Sequence, residues 1–127
     1  MSLRLEVVRV PVSDVDRAKA FYAERLGFTT DHDTEVGEGR RVVQLTPPGS
    51  ACSIAIGTGL TRMEPGSLDG LLLVVEDMED ARSRLLARGV DVGEIEVLGR
   101  PGRPGFQHAS FSDPDGNGWI LQDKRPV

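Results

Sequence analysis

The stretch that decides the fold is Val10-Pro-Val-Ser-Asp-Val-Asp-Arg-Ala-Lys-Ala-Phe-Tyr22, which runs on to Leu26-Gly27-Phe28. Valine at every second position through Val12 predicts that residues 4–12 form a strand. Ser13-Asp14 then supplies N-cap side chains for a helix, with Asp16 placed as in a capping box. Glycine after Leu26 is typical of a helix C-terminus. The stretch therefore predicts a strand that leads directly into a helix.

Three short strands are predicted to follow this helix. They are residues 28–33, 41–46 and 52–56, and the glycines and prolines between them are typical of turns. The first part of the chain thus reads as one βαβββ module.

The pattern restarts about 62 residues later. Val75-Glu-Asp-Met-Glu79 matches Val12-Ser-Asp-Val-Asp16, and Gly89 takes the place of Gly27. We assign module 1 to about 4–57, a linker to 58–69 and module 2 to about 70–124, within a single domain 1–127. Because one such unit can hardly bury its sheet face alone, two copies must complete the fold.

Module 2 is predicted to contain a strand at 71–75, a helix that starts at Asp77, a strand at 90–98 and a closing hairpin of 106–112 and 118–122. The Asp113-Pro-Asp-Gly-Asn117 segment that joins the hairpin strands is rich in turn-forming residues. The stretch 99–105, with Arg100 and Arg103, is predicted to be a connecting loop. The alternative is a mobile flap over a pocket.

Composition excludes several classes of function. The 127 residues include 15 Lys and Arg against 20 Asp and Glu, a net charge of −5 that argues against a nucleic-acid partner. A single cysteine, Cys52, excludes an internal disulfide. The most apolar run, 71–75, is far shorter than the ~20 residues of a membrane helix. We expect a cytoplasmic protein without a membrane partner.

Three segments in order carry a family resemblance: Val10–Phe28, Val75–Val90 and Phe111-Ser-Asp-Pro-Asp-Gly-Asn-Gly-Trp-Ile-Leu-Gln122. Together they resemble the vicinal oxygen chelate superfamily of glyoxalases, bleomycin-resistance proteins and extradiol dioxygenases, over nearly the whole chain. The resemblance implies an α+β fold of two βαβββ modules, whose curled mixed sheet forms a cup with helices on the outer face. It also implies a homodimer.

The resemblance further implies where a metal would be held, because family members take His, Gln or Glu ligands from the first and last strands of each module. The corresponding positions here are Val7, Gly70 and Ile120, whose side chains have no donor atoms. The predicted metal site is therefore lost, and no cofactor is expected. Glu6 and Asp69 lie one residue away, which in a strand is the opposite face, and rescue of a metal site by either stays open.

Strand alternation, with the family's usual register, predicts which residues face the interior of the cup. The predicted ligand-binding set is Arg9, Gln44, Leu72, Val74, His108, Ser110, Ile120 and Gln122. The face of Gln44 is undecided from the sequence. Such a mixture of apolar groups and a few polar ones is typical of a small-molecule site.

Two of these residues have alternative roles. Arg9 is suited to a carboxylate or phosphate ligand, or else it pairs with Glu6 or Asp123. His108 is the candidate catalytic acid or base, or else a hydrogen-bonded strand histidine without chemistry.

Some conspicuous residues are predicted to be structural. The run Asp31-His32-Asp33 resembles a metal cluster, but successive strand residues face opposite sides and should not converge. Trp119 and Phe111 are expected in the core, and Cys52 is expected to be a buried thiol.

Three hypotheses for function follow. The first is a metal-free protein that binds a small apolar or anionic molecule in the cup. The second is an enzyme of the superfamily, a glyoxalase-like lyase or isomerase or a dioxygenase, with a non-standard metal or acid/base site. The third is a domain whose dimer interface is its main role. The fold alone does not choose among them.

Overall fold

The computed structural model describes residues 1–99 and 101–127, so Arg100 of the predicted loop lies outside the described residues. The chain divides into two compact units. Unit 1 comprises Met1–Leu68 with Pro114–Asn117, and unit 2 comprises Asp69–Asp113 with Gly118–Val127. No helix in the described part is long and apolar enough to cross a membrane.

Unit 1 contains one helix and a four-stranded sheet. Its elements are β1 (Val7–Arg9), α1 (Val15–Ala20) continued by a π-helical turn (Phe21–Arg25), β2 (Thr29–Glu35), β3 (Arg41–Thr46) and β4 (Ser53–Gly57). The strand order is β1-β4-β3-β2. β1 is parallel to β4, and the other neighbours are antiparallel.

Unit 2 repeats this arrangement. Its elements are β5 (Leu71–Val75), α2 (Met78–Ala87), β6 (Glu96–Leu98), β7 (Phe106–Ser112) and β8 (Gly118–Pro126). The order β5-β8-β7-β6 again combines one parallel and two antiparallel pairs. The predicted α+β class and the repeated βαβββ order are confirmed, and each sheet is open.

Each helix begins at the predicted aspartate. The Asp14 carboxylate accepts the backbone N–H of Arg17 at 3.1 Å, and that of Asp77 accepts the N–H of Asp80 at 3.1 Å. Both bonds satisfy a backbone donor that has no partner within the helix.

The helices pack on one face of the sheet in their own unit, where the apolar core lies. In unit 1, the fully buried Tyr22 contacts the rings of Phe21 and Phe28, with centroid distances of 5.2 and 5.6 Å. In unit 2, the rings of Phe111 and Trp119 stack at 6.2 Å, and both side chains are buried. The prediction that Phe111 and Trp119 belong to the core is confirmed.

Two predicted strands are shorter in the structure. β1 ends at Arg9, and Pro11 two residues later has no N–H to donate to a sheet. Of the predicted strand 90–98, only residues 96–98 form a strand in the structure. Before them, the N–H of Val92 turns back to the carbonyl of Val90 at 3.0 Å, so the chain leaves the extended conformation there.

The turn that joins β7 and β8 is fastened within unit 1 by Asp115. Its carboxylate accepts the Ser13 hydroxyl at 2.5 Å and the Ser13 N–H at 3.1 Å, and it pairs with Arg17 at 3.3 Å. Ser13, a predicted cap of α1, thus binds this turn instead.

Asn117 holds the end of the same turn. Its side chain is fully buried, its amide donates to the carbonyl of Pro11 at 2.8 Å, and its oxygen accepts the N–H of Leu68 at 3.1 Å. The turn segment therefore bridges two distant parts of unit 1.

An ion-pair cluster joins α1 to the β2–β3 hairpin. Arg41 binds both oxygens of Asp33 at 2.8 Å, and its third nitrogen reaches Asp16 at 2.5 Å. Lys19 of α1 also binds Asp33 at 2.7 Å. Hydrogen bonds from Arg41 and then from Lys19 hold the pKa of the Asp33 carboxyl well below its usual value of 3.8.

This cluster predicts a pH-dependent stability. Because the folded state favours ionised Asp33, its contribution is complete above the unfolded pKa of 3.8 and is lost as the pH falls toward the lower folded pKa. Asp33→Asn should therefore be less stable than the wild type near neutral pH, and the difference should shrink below about pH 4. Urea unfolding across this pH range measures it. The exposed control Asp91→Asn should stay close to the wild type, and a constant deficit in Asp33→Asn would contradict the prediction.

Candidate functional site

The predicted ligand-binding residues of module 2 lie together on one face of the unit 2 sheet. Strand register aligns Leu72 with Ile120 and Ser110, and it aligns Val74 with Gln122 and His108. Partners in register share a face. This set of six is Leu72, Val74, His108, Ser110, Ile120 and Gln122.

This face carries exposed apolar side chains, although the opposite face is packed against α2. Leu72 is 47% exposed and Val74 is 60% exposed, whereas Trp119 and Leu121, which alternate with Ile120 along β8, are 3% and 2% exposed. The alternation follows from regular strand geometry, which is why the sequence alone could predict it.

A hydrogen bond joins the two polar side chains at the centre of this face. His108 Nε2 lies 2.8 Å from Gln122 Oε1, so the ring nitrogen donates and the amide oxygen accepts. The other ring nitrogen, Nδ1, is buried and has no hydrogen-bond partner among the described residues. In this arrangement His108 is a hydrogen-bonded strand histidine, because Gln122 engages Nε2 and burial keeps Nδ1 from solvent.

Two adjoining hollows run along the same face and share Gly93, Ser110 and Ile120. The larger has a volume of about 630 Å³ and extends past Trp119. The smaller has a volume of about 230 Å³ and contains His108. We call the pair the unit 2 groove, which has room for a small molecule.

Carboxylates line the groove, and none of them was in the predicted set. They are Asp69, Asp91, Glu94 and Glu96. Glu96 is aligned with His108 by register, whereas the other three precede β5 or β6 in irregular chain. Without a periodic pattern, the sequence offered no signal for their direction. Their charge disfavours an anion in the unit 2 groove.

The predicted site residues of module 1 lie on one face of the unit 1 sheet. Arg9 and Gln44 both align with Ala55, and His32 aligns with Gln44. The core face of the sheet instead carries Val43 and Leu45, which are fully buried. The structure thus resolves the open question of Gln44, which shares its face with Arg9.

The guanidinium of Arg9 is anchored by backbone. Nη1 donates to the carbonyl of Leu60 at 2.8 Å, across 51 residues of sequence. None of the ion pairs recorded for the described residues involves Arg9. Asp123, one suggested partner, accepts the N–H groups of Arg125 at 2.9 Å and Met78 at 3.1 Å, which lower the pKa of its carboxyl.

The side chains of Asp31, His32 and Asp33 do not converge, as predicted. A bulge, rather than strict alternation, is what separates them. The register of β2 shifts between Thr30 and His32. Asp31 therefore reaches the hydroxyl of Thr46 on the Gln44 face, while Asp33 turns to Arg41 on the other face. Strict alternation would have placed Asp31 and Asp33 on the same side.

The residues at the family's metal positions do not fit a metal ion. Val7, Gly70 and Ile120 offer no side-chain donor. Within the ranges 1–99 and 101–127, no group of three His, Cys, Asp or Glu residues is placed to hold an ion. Asp69, the nearest carboxylate to Gly70, is packed against Gly118. The lost metal site stays a prediction of the sequence that this donor set supports.

A family model described as Glyoxalase/Bleomycin resistance protein/Dioxygenase superfamily matches residues 4–121. Among solved structures, the chain is similar to TnmS3, an antibiotic binding protein from Streptomyces sp. CB03234. The identity is 36%, the coverage is 99% of this chain and 98% of that chain, and the TM-score is 0.83.

Two further structures agree. A glyoxalase/bleomycin resistance protein from the same Streptomyces is 38% identical, with a TM-score of 0.77 and coverage of 94% and 99%. A superfamily member from Sphaerobacter thermophilus DSM 20745 is 29% identical, with a TM-score of 0.81 and coverage of 97% and 98%. A search of the curated proteins found no match. With the family model matched along most of its length, the chain belongs to the glyoxalase/bleomycin resistance protein/dioxygenase superfamily.

Proposed function

We propose that this protein binds a small apolar or anionic molecule without transforming it and without a metal. The observation that carries the proposal is the exposed apolar face of the unit 2 sheet, where Leu72 and Val74 border the His108–Gln122 pair. Exposed aliphatic side chains around a few polar groups are typical of a ligand site. The similarity to an antibiotic binding protein supports the same role.

The state of His108 favours binding over acid/base catalysis. A general acid or base must reach the substrate proton with a ring nitrogen. Here Gln122 occupies Nε2, and Nδ1 is buried. We therefore assign the pair to ligand orientation, with the outer edge of the Gln122 amide as the polar contact.

An enzyme of the superfamily remains the alternative function. It would need His108 to part from Gln122 on substrate binding, so that Nε2 becomes available. His108→Ala would then abolish turnover and keep binding, whereas a pure binder recovers every ligand chemically unchanged.

The binding proposal is tested with fluorescence and thermal unfolding. Trp119 is the only tryptophan and borders the unit 2 groove, so its emission reports binding there. A panel of apolar and anionic compounds, antibiotics included, is titrated and then recovered for mass analysis. A true ligand at a hundredfold excess over Kd stabilises the protein by ~2.7 kcal/mol.

A matched pair of variants locates the site. Val74 and Val97 are 60% and 57% exposed and lie in the two edge strands of the same sheet, but they point to opposite faces. Val74→Lys should weaken binding about tenfold or more because a lysine desolvates poorly, and Val97→Lys should leave Kd unchanged. Equal effects of both changes would place the site elsewhere. Turnover of any compound would establish the enzyme instead.

We also propose that the protein is a homodimer, since an exposed apolar face of this kind is commonly covered in the assembled state. Light scattering on the purified chain tests this. A monomer at micromolar concentration contradicts it.

A further inference from the structure

We propose that unit 1 carries an oxyanion-binding subsite, formed by Arg9 and Gln44 on either side of Ala55, which takes the acidic group of a small-molecule ligand. This inference rests on the proposed function, whose ligand class includes anions, and it assigns the acidic members of that class, carboxylic acids and phosphate esters, to unit 1. Its test is nevertheless separate, because it uses the acidic group itself as the probe.

The strand register places the two polar side chains on either side of one small residue. Arg9 on β1 and Gln44 on β3 both align with Ala55 of the intervening strand β4. Neighbouring strands lie about 4.8 Å apart, so the backbones of Arg9 and Gln44 are about 10 Å apart. Two long side chains can converge over that distance, above the small methyl group of Ala55, which is 7% exposed.

The donors of both side chains remain available. A guanidinium has five N–H groups, and the bond from Nη1 to the Leu60 carbonyl uses one of them while fixing the position of the group. In the part of the chain that the structure describes, the side chain of Gln44 has no recorded hydrogen bond. Held in this way, and with no carboxylate partner within residues 1–99 and 101–127, the guanidinium is suited to bind two oxygens of one anion.

The surroundings of Arg9 and Gln44 strengthen the preference for an anion. Val7 and Val42, two residues along from Arg9 and Gln44 on the same face, are only partly exposed and lower the local polarity. Asp31, an acid on that face, accepts a hydrogen bond from the hydroxyl of Thr46. The unit 2 groove shows the opposite chemistry, with four carboxylates along its lining. An acidic group therefore finds its favourable environment in unit 1.

The experiment uses three naphthalene probes that differ in one group: 2-naphthoate, 2-naphthyl phosphate and the uncharged 2-naphthamide. Each is titrated into full-length ¹⁵N-labelled protein at millimolar concentrations. The signals followed are the Nε–H of Arg9 and the side-chain amide of Gln44. We expect both anions to shift these signals, and the anion that binds more tightly identifies the preferred acidic group. The uncharged 2-naphthamide should bind at least about tenfold more weakly than either anion.

Variants assign the effect to the two side chains. Arg9→Met should raise the Kd of the anions about tenfold or more, and Gln44→Leu should raise it by a smaller factor. Arg9→Lys keeps the charge but loses the two-pronged geometry, and an intermediate Kd is expected. Arg62→Met removes the same charge from an exposed position of unit 1 and should leave Kd unchanged. Thermal unfolding confirms that each variant is folded.

Three results would overturn the subsite. They are the absence of shifts at Arg9 and Gln44, equal affinity for naphthoate and naphthamide, and equal effects of Arg9→Met and Arg62→Met. If the probes instead shift signals along the unit 2 groove, the subsite is wrong and the proposed binding function stands. If the probes bind at Arg9 and the protein converts the compounds of the panel, the subsite stands and the non-catalytic function is wrong.

Discussion

Trp119→Ala is expected to lower the free energy of unfolding by about 3–5 kcal/mol, the largest effect of any single change considered for this protein. Trp119 lies in the middle strand pair of the unit 2 sheet, is 3% exposed and stacks on Phe111 at 6.2 Å. Truncation removes the buried indole and leaves a cavity that the rigid sheet cannot close.

Urea unfolding followed by far-ultraviolet circular dichroism measures this loss, because the variant lacks the fluorescent side chain. Val97→Ala, at a 57% exposed position of the same sheet, should change stability by less than about 0.5 kcal/mol. Trp119→Phe keeps an aromatic ring against Phe111 and should lie between the two. A loss below about 1 kcal/mol in Trp119→Ala would show that Trp119 is not a core residue.

The contrast between Trp119 and its neighbours explains how far the sequence could predict the site. Along β8, Trp119 and Leu121 are buried while Ile120 and Gln122 lie on the opposite, half-buried face, as strict alternation requires. The aspartate caps and the repeated helix-ending glycines similarly fix the order of elements through local backbone chemistry. Regular elements with local signals are therefore the predictable part of the molecule.

The unpredictable parts depend on irregular or distant chain. Val42 and Val43 are both apolar, so alternation does not show which face of β3 is buried. Only the pairing of β3 with β4 places Gln44 on the same face as Arg9. A bulge at Asp31 cancels the alternation of β2. The Leu60 carbonyl that fixes Arg9 is 51 residues away, in a loop without periodicity. Register shifts and long-range hydrogen bonds leave no pattern in a single sequence.

The Asp113–Asn117 turn shows that a segment can be recognised correctly while its structural role is missed. Its composition predicts a turn, and the structure contains one between β7 and β8. Its side chains, however, also bind residues far away in unit 1. Asn117→Ala is accordingly expected to lower the free energy of unfolding by about 3 kcal/mol.

The magnitude follows from one backbone group left without its partner and one further hydrogen bond lost. Asn117 is fully buried, and alanine would remove the acceptor of the Leu68 N–H. It would also remove one of two donors to the Pro11 carbonyl, which still accepts the N–H of Gly66 at 3.1 Å. A backbone group without a partner costs about 1–3 kcal/mol and a lost hydrogen bond about 1 kcal/mol. Asn117→Asp should not rescue stability, because a carboxylate has no hydrogen to donate to the carbonyl of Pro11.

Urea unfolding monitored by Trp119 fluorescence measures the loss, with the exposed neighbour Ser112→Ala as the control that should change stability by less than about 0.5 kcal/mol. The comparison separates two roles of the segment. If the turn only reversed the chain, Asn117→Ala and Ser112→Ala would have equally small effects. If its buried amide holds Pro11 and Leu68 in place, only Asn117→Ala is strongly destabilised, and the residues between β1 and α1 lose protection from hydrogen exchange with it.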